Sequence, residues 1–263
     1  MYGVGRAGFY AWRRRPASAR HEQDRKLTAQ IRAIFEASTG TYGSPRIHRT
    51  LRTQGVRVSR RRIERLMRHG NLRARVVRIY RANPRLHRFF GQHPNHVGRT
   101  RATTLNAIWV ADLTYLAVGR RWWFLAVVLD QCSRRVLAWQ LAATRDSRLT
   151  RAVINAALRR RQRPKGLIFH SDRGSEYLGA PLRRRLQTLG IRQSMTRGGS
   201  PGENAHMESF FHSLKADLIH GRQFHHVDHL RHALRRYIRY YNFTRLHSAL
   251  DYQSPVDYER GAA

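Results

Sequence analysis

The chain has 263 residues, of which 41% are hydrophobic, enough core for one large domain or two to three small ones. It carries 51 Lys+Arg against 16 Asp+Glu, a formal net charge of +35 that points to a polyanionic partner, above all nucleic acid. No apolar run is long enough to span a bilayer, no secretory leader is expected at the start, and the single Cys132 excludes an internal disulfide framework or a zinc site built on paired cysteines.

The charge is unevenly spread. Residues 1–104 hold 25 Lys+Arg and 4 Asp+Glu, whereas residues 105–263 hold 26 and 12. Only three lysines occur, Lys26, Lys165 and Lys215, so arginines one by one say little.

The opening "GVGRAGFYAWRRRP" is aromatic and then basic. Residues 25–37 place Leu27, Ile31 and either Ile34 or Phe35 at helical spacing. Next, Ser44 is expected to cap a helix with Pro45 at its first position, and Gly55 to end it. Ser59 caps a second helix, packed by Ile63, Leu66 and Met67 and stopped by Gly70. Two short helices with a short connection fit a helix-turn-helix. The second would turn Arg60, Arg61, Arg65 and Arg68 toward DNA. A helical hairpin with a solvated basic face is the alternative. The helix-turn-helix DNA-binding region is thus set at 1–71, followed by a basic linker over 72–104. His87, His93 and His96 in that linker read as solvated basic residues, because no cysteine or regular ligand spacing accompanies them.

Beyond residue 105 the pattern changes. Segments 107–118, 122–130 and 134–142 are strand-like and joined by short turns, so antiparallel hairpins are expected. A helix over 147–161, a strand over 166–172, a helix over 175–189 ended by Gly190 and a short strand over 191–195 follow. "TRGGSPGE" (196–203) reads as a mobile loop, with helices from about 204 to 219 and 227 to 241 beyond it. The fold class is α/β: a mixed five-stranded sheet flanked by helices. The core is placed at 105–220 and a helical extension at 221–263.

Three acids stand out. Asp112 lies inside an apolar strand, which is costly unless it is paired with an arginine or holds a cation. Asp172 ends the fourth strand, where it is either a turn and capping residue or a ligand. Glu208 lies in the first turns of the helix after the glycine loop, a surface residue if it does no chemistry. Glu176 reads as an ordinary first-turn helix residue. Taken together, Asp112, Asp172 and Glu208 suit phosphodiester cleavage and strand transfer with two Mg²⁺ ions, which favour hard oxygen ligands.

Asp112 and Asp172 are separated by 59 residues, and Asp172 and Glu208 by 35. This pattern resembles the Asp-Asp-Glu signature of retroviral integrases and related bacterial transposases. The motifs "WVADLTYL", "VVLDQCSRRVLAW", "HSDRGSEY", "SPGENAHMESFFHSLKADL" and "YYNFTRLHSALDYQSP", with "YGSPRIHRTL" in front, make the chain similar to OrfB-type transposases of bacterial insertion sequences over nearly its whole length. The resemblance implies an RNase H-like core after a helix-turn-helix. It implies a DNA transposase that cuts element ends and uses the freed 3′-hydroxyl for strand transfer. Mg²⁺ would be the cofactor, with Mn²⁺ as a substitute. Partners would be double-stranded DNA of the element's terminal repeats and the target, a second copy of the chain on DNA, and an upstream-frame OrfA segment. The location would be cytoplasmic and nucleoid-associated, with no membrane. The resemblance makes Asp112, Asp172 and Glu208 the acidic triad and Lys215 a DNA-end contact, and it sets Asn204 beside the DNA, with Glu203 where the family usually has Asp. His170 and Ser171 match the family and serve either the site or the turn, while Arg245 and His247 match an "R-x-HS" motif that suits packing or DNA contact. A regulator with a dead core and a structure-selective nuclease are the competing functions.

Overall fold

The computed structural model describes residues 5–14, 18–75, 94–97, 102–197 and 201–262, which divide between two compact units, 1–75 and 76–263. The first unit is helical: α1 (Arg6–Arg14), α2 (Ala19–Ala37), α3 (Ser44–Thr53) and α4 (Arg60–His69). Helix α2 starts well before its apolar spacing begins, because Ser18 Oγ accepts from the His21 amide at 3.2 Å and satisfies the first turn. Ser44 is not the cap of α3. Gly43 takes that position, and the Ser44 hydroxyl instead donates to Glu64 Oε1 of α4 at 2.9 Å. Ser59 does cap α4, accepting from the Arg62 amide at 3.3 Å. After α4 it is Asn71, with φ 52°, rather than Gly70 that adopts the left-handed conformation.

Fully buried Ile31, Ile47, Leu51 and Ile63 join α2, α3 and α4. One carboxylate reinforces this packing: Asp24 of α2 accepts from Arg62 Nε and from an Arg65 terminal nitrogen, both at 2.7 Å. Those bonds, Arg65 first, hold its carboxyl below the usual carboxylate range.

The second unit is built on one sheet of order β3-β2-β1-β4-β5. Strands β1 (Ile108–Val118), β2 (Arg121–Asp130) and β3 (Val136–Ala142) form an antiparallel meander. Strands β4 (Ile168–Ser171) and β5 (Arg192–Met195) add in parallel beyond β1. Helix α5 (Ser147–Arg160) makes the crossover to β4, with Asp146 Oδ1 accepting from the amides of Arg148 and Leu149 at its start. The single helix expected over 175–189 is two, α6 (Ser175–Leu178) and α7 (Ala180–Thr188). Gly179 between them is extended, with ψ 133°, and Pro181 lacks the amide that a continuous helix would use.

After β5, residues 201–204 form a 3-10 turn within the stretch expected to be a mobile loop. Helix α8 (Ala205–Leu214) follows and runs into a π-helical turn at Lys215–Ile219. Helices α9 (Val227–Phe243) and α10 (Pro255–Gly261) complete the chain. Side chains alternate between two cores, as the period of a strand requires. Val110, Leu125 and Val127 face Phe210 and Leu214 of α8 and Leu230 of α9. Trp109, Ala126 and Val128 face Val153 of α5 and Leu182 and Leu186 of α7.

Part of the segment expected as a linker lies along β5. The Met195 amide donates to Pro94 O at 3.1 Å, the His96 amide donates to Ser194 Oγ at 2.9 Å, and Val97 is buried. The rest of that segment beyond Arg75, including His87 and His93, falls outside the described residues except for 102–104.

Helix α10 is fastened by Glu259, which pairs with Arg135 and Arg161 and accepts from Ser133 Oγ at 2.7 Å. All of these groups are largely shielded from water. Glu259→Ala leaves two guanidinium groups and a hydroxyl without their acceptor. It is expected to cost about 3 kcal/mol of core stability, read as a lower midpoint in urea denaturation of the whole chain; an unchanged midpoint contradicts this role of α10.

Candidate active site and its surroundings

The parallel pairing of β1 with β4 sets the site. Ala111 lies opposite Ser171, the last pair of that ladder. One residue further along each chain stand Asp112 and Asp172. Adjacent strands run about 4.8 Å apart, so this register brings the two acids side by side on the face covered by α8. Residues 201–204 and the start of α8 lie against the same place, since Asn204 Nδ2 donates to Ala111 O at 3.3 Å. Glu208 stands on the exposed side of the first turns of α8.

The electrostatics agree with this placement. Asp112 is half-buried, and its carboxyl is pushed up to about 8, first by burial and then by the charge of Asp172, with smaller contributions from Glu176 and Glu208. The Leu113 amide donates to its Oδ1 at 2.7 Å. The arginine partner that would make it a buried ion pair is missing: among the described residues Asp112 forms no salt bridge. Asp172 Oδ1 accepts from the Gly174 amide at 3.1 Å, so it shapes the turn as well as facing Asp112. Glu208 is raised by partial burial. Among the described residues no three His, Cys, Asp or Glu side chains already converge at metal-holding distance.

Two residues that sequence reasoning passed over belong to this site. Glu176 is no ordinary surface residue of a first helical turn; it is 3% exposed and lies close enough to push Asp112 upward. Arg145 holds it, with Nε to Oε2 at 3.1 Å and a terminal nitrogen to Oε1 at 3.0 Å. Gly174 leaves the space this carboxyl fills, since an added Cβ would lie 2.5 Å from Glu176 Oε1. The only sequence signal was a glycine two residues before an acid, and nothing pointed to Arg145, which precedes α5.

The other candidates are placed as follows. Lys215 begins the π-helical turn, and its Nζ lies 5.5 Å from the centre of the Tyr115 ring. Asn204 points inward rather than toward a ligand: it is 6% exposed and its amide braces the backbone beside Asp112. On α4, Arg61 and Arg68 are exposed. Arg60 is drawn to Glu64 at 2.8 Å and Arg65 to Asp24 at 2.7 Å, so these two also bind their own fold. His170 is fully buried, with Nδ1 2.9 Å from Ser194 Oγ, and burial lowers it to about 4, leaving it neutral. Arg245 and His247 serve packing. Arg245 is buried with Asp217 at 3.0 Å, and the His247 ring meets the Tyr241 ring edge-on at 4.7 Å.

A helical unit with a helix-turn-helix, followed by a mixed sheet with facing carboxyls, defines an integrase-type catalytic chain. Residues 22–80 match the HTH-like domain family, and residues 102–201 and 189–255 match two integrase core domain families. The chain is 34% identical to the insertion element IS600 uncharacterized 31 kDa protein of Shigella sonnei, over 97% of this chain and 95% of that protein. It is 34% identical to transposase InsF of insertion sequence IS3A of Escherichia coli K12, over 97% of this chain and 90% of that one. It is 32% identical to the transposase of insertion sequence element IS904 of Lactococcus lactis, over 94% of this chain and 98% of that one. Among solved structures, a chain of the simian T-cell lymphotropic virus intasome in complex with PP2A regulatory subunit B56 gamma is similar in fold. It has a TM-score of 0.53 at 19% identity, over 66% of this chain and 60% of that chain. The chain belongs to the insertion-sequence transposases, enzymes of the DDE polynucleotidyl transferase class. The RNase H-like core and the helix-turn-helix region expected from the sequence are both present. No described helix is long and apolar enough to cross a membrane.

Arg145→Ala strips a buried carboxylate of its partner. The guanidinium is half-exposed, so the expected loss is about 1–2 kcal/mol, less than for a fully buried pair. Glu176→Gln in the same background should recover most of it. Thermal denaturation of the single and double variants checks this, and equal stability of wild type and Arg145→Ala refutes the pairing.

Proposed function

We propose that Asp112, Asp172 and Glu208 are the acids with which this transposase cleaves its element's ends and joins them to new DNA. The observation that carries this is the β1–β4 register, which sets Asp112 beside Asp172. A half-buried carboxyl raised by burial and by the charge of a neighbouring carboxylate suits hard divalent cations, with Mg²⁺ favoured and Mn²⁺ a substitute. Two such ions would activate the attacking oxygen and neutralise the leaving one. Asp112 offers oxygens from within β1, Asp172 from just past the end of β4, and Glu208 offers a third carboxylate from α8. Asn204 and the Arg145–Glu176 pair hold those elements in place.

The chemistry balances at each step. In cleavage a water oxygen bonds to phosphorus and the 3′ oxygen leaves, taking a proton. In joining, that 3′-hydroxyl bonds to a target phosphorus and displaces a second 3′ oxygen. Joining forms one phosphodiester for each one broken, so no nucleotide hydrolysis is required, and no glycine-rich triphosphate loop of the GxxxxGKS type occurs in the sequence.

The HTH-like and integrase domains imply DNA binding. We assign Arg61 and Arg68, with Arg60 and Arg65 beside them, to the terminal repeats, and Lys215 to the DNA end near Glu208. Work on two ends calls for at least two copies of the chain on DNA. An upstream-frame OrfA partner and a cytoplasmic, nucleoid-associated location accord with the insertion-sequence relatives.

Asp112→Asn, Asp172→Asn and Glu208→Gln are each expected to reduce Mg²⁺-dependent cleavage of the element's terminal repeats to background while DNA affinity persists. Cleavage retained by any one variant removes that residue from the set. Arg61→Ala and Arg68→Ala should weaken end binding and flatten its dependence on log salt by about 0.9 for each phosphate no longer neutralised, measured by fluorescence anisotropy across a salt series. An unaltered slope in both variants refutes the assignment to α4.

A further inference from the structure

Tyr115 and Trp122 are large aromatic side chains left in solvent, each 58% exposed. Their rings meet edge-on, with centroids 5.0 Å apart and planes at 87°. Tyr115 lies on β1, three residues beyond Asp112, which is about 10 Å along a strand. Trp122 comes from β2, opposite Ala117. Lys215 reaches the same spot, 5.5 Å from the Tyr115 ring. The lysine is carried by the turn that follows α8 and meets the Tyr115 ring. Tyr115 lies beyond the point where β4, paired with β1 only as far as Ala111, leaves the β1 edge without a neighbouring strand among the described residues. Arg120 and Arg121 stand exposed at the adjoining turn.

We propose that Tyr115 and Trp122 form a stacking site for an unpaired DNA base, with Lys215 meeting the phosphate next to it. The inference rests on the transposase function of the neighbouring carboxylates. Base and aromatic faces stack without regard to base identity, and cations beside them hold the backbone. An apolar protein surface is a poor occupant, because Lys215 lies at the rings, Arg120 and Arg121 stand exposed at the adjoining turn and the chain as a whole carries +35. DNA supplies both halves of the match, a π face for the rings and a phosphate for Lys215. Tyr115 stands only three residues along β1 from Asp112, so a strand held at the carboxylates has an unpaired base within reach of the pair.

The test uses the full chain, a labelled oligo-dT and a labelled mixed-sequence duplex at one fixed salt concentration. Tyr115→Ala and Trp122→Ala are each expected to weaken oligo-dT binding about tenfold and to leave duplex binding unchanged, while Trp122→Phe keeps most of the affinity. Unchanged oligo-dT binding in both alanine variants overturns the proposal, and so does an equal loss on both DNAs. A wild-type dimer that Trp122→Ala turns into a monomer, seen by sedimentation, makes the pair a subunit contact and also overturns it. Asp112→Asn separates the two inferences. If that variant still cleaves while Trp122→Ala loses oligo-dT, only the triad fails. If it is inactive while Trp122→Ala binds normally, only the stacking site fails.

Discussion

A parallel ladder of four residue pairs between β1 and β4 ends at Ala111 and Ser171. Whatever follows on each strand is thereby set side by side, and here both followers are aspartates. The fold gives Asp112 a half-buried position, a like-charged neighbour and no ion-paired arginine among the described residues, so its carboxyl is driven up to about 8. A chain with 51 basic residues had many ways to neutralise that acid and neutralised Glu176 instead, through Arg145. Setting Asp112 against a second carboxyl is tolerable when a cation is to occupy the gap. The surrounding elements maintain this condition. Asn204 ties the turn before α8 to Ala111, Gly174 admits the Glu176 carboxyl, and Asp172 fixes its own turn through the Gly174 amide.

The same logic separates the two kinds of charge. Several arginines serve the fold before any ligand: Arg62 and Arg65 fasten α2 to α4 through Asp24, Arg135 and Arg161 fasten α10 through Glu259, and Arg245 is buried on Asp217. These pairs use three of the acids, Asp24, Glu259 and Asp217, to fasten helical segments. Other cations, Arg61, Arg68, Arg120 and Arg121 among them, are exposed and available to a polyanion. A high net charge therefore does not translate one for one into DNA contacts, since arginines such as Arg60 and Arg65 also bind their own fold.

The strands, their antiparallel hairpins and most helix positions were legible because strand alternation and capping residues act locally. The hairpins over 107–142 follow from apolar runs broken by short polar turns, and Ser59 and Asp146 cap as their residue types dictate. Most of the misses have the opposite origin. Ser44 was drawn from its expected capping role by Glu64, 20 residues away in sequence, whereas the break at Gly179 has a local cause in the missing Pro181 amide that the helical spacing over 175–189 had hidden. At the site, Asp112 was conspicuous because it interrupts an apolar strand. Glu176 and Arg145 were not, because a buried pair made across 31 residues leaves no periodic trace. Asn204 was legible as a motif residue but not as a buried one.

The short β4 has a consequence beyond aligning two carboxyls. Among the described residues it leaves 112–118 of β1 without a strand on that side, and exposed sheet edges invite pairing with another chain. Natural sheets guard such edges with charge. This one places Lys215 beside the edge and Arg120 and Arg121 at its turn, yet sets Tyr115 and Trp122 in the same place. Cations alone would have protected the edge, and aromatic residues alone would have made it adhesive to protein. The combination repels another basic chain while remaining attractive to a strand that carries both bases and phosphates. The stub of a fourth strand that brings Asp172 to Asp112 thus also opens a flank from which a DNA strand can approach them.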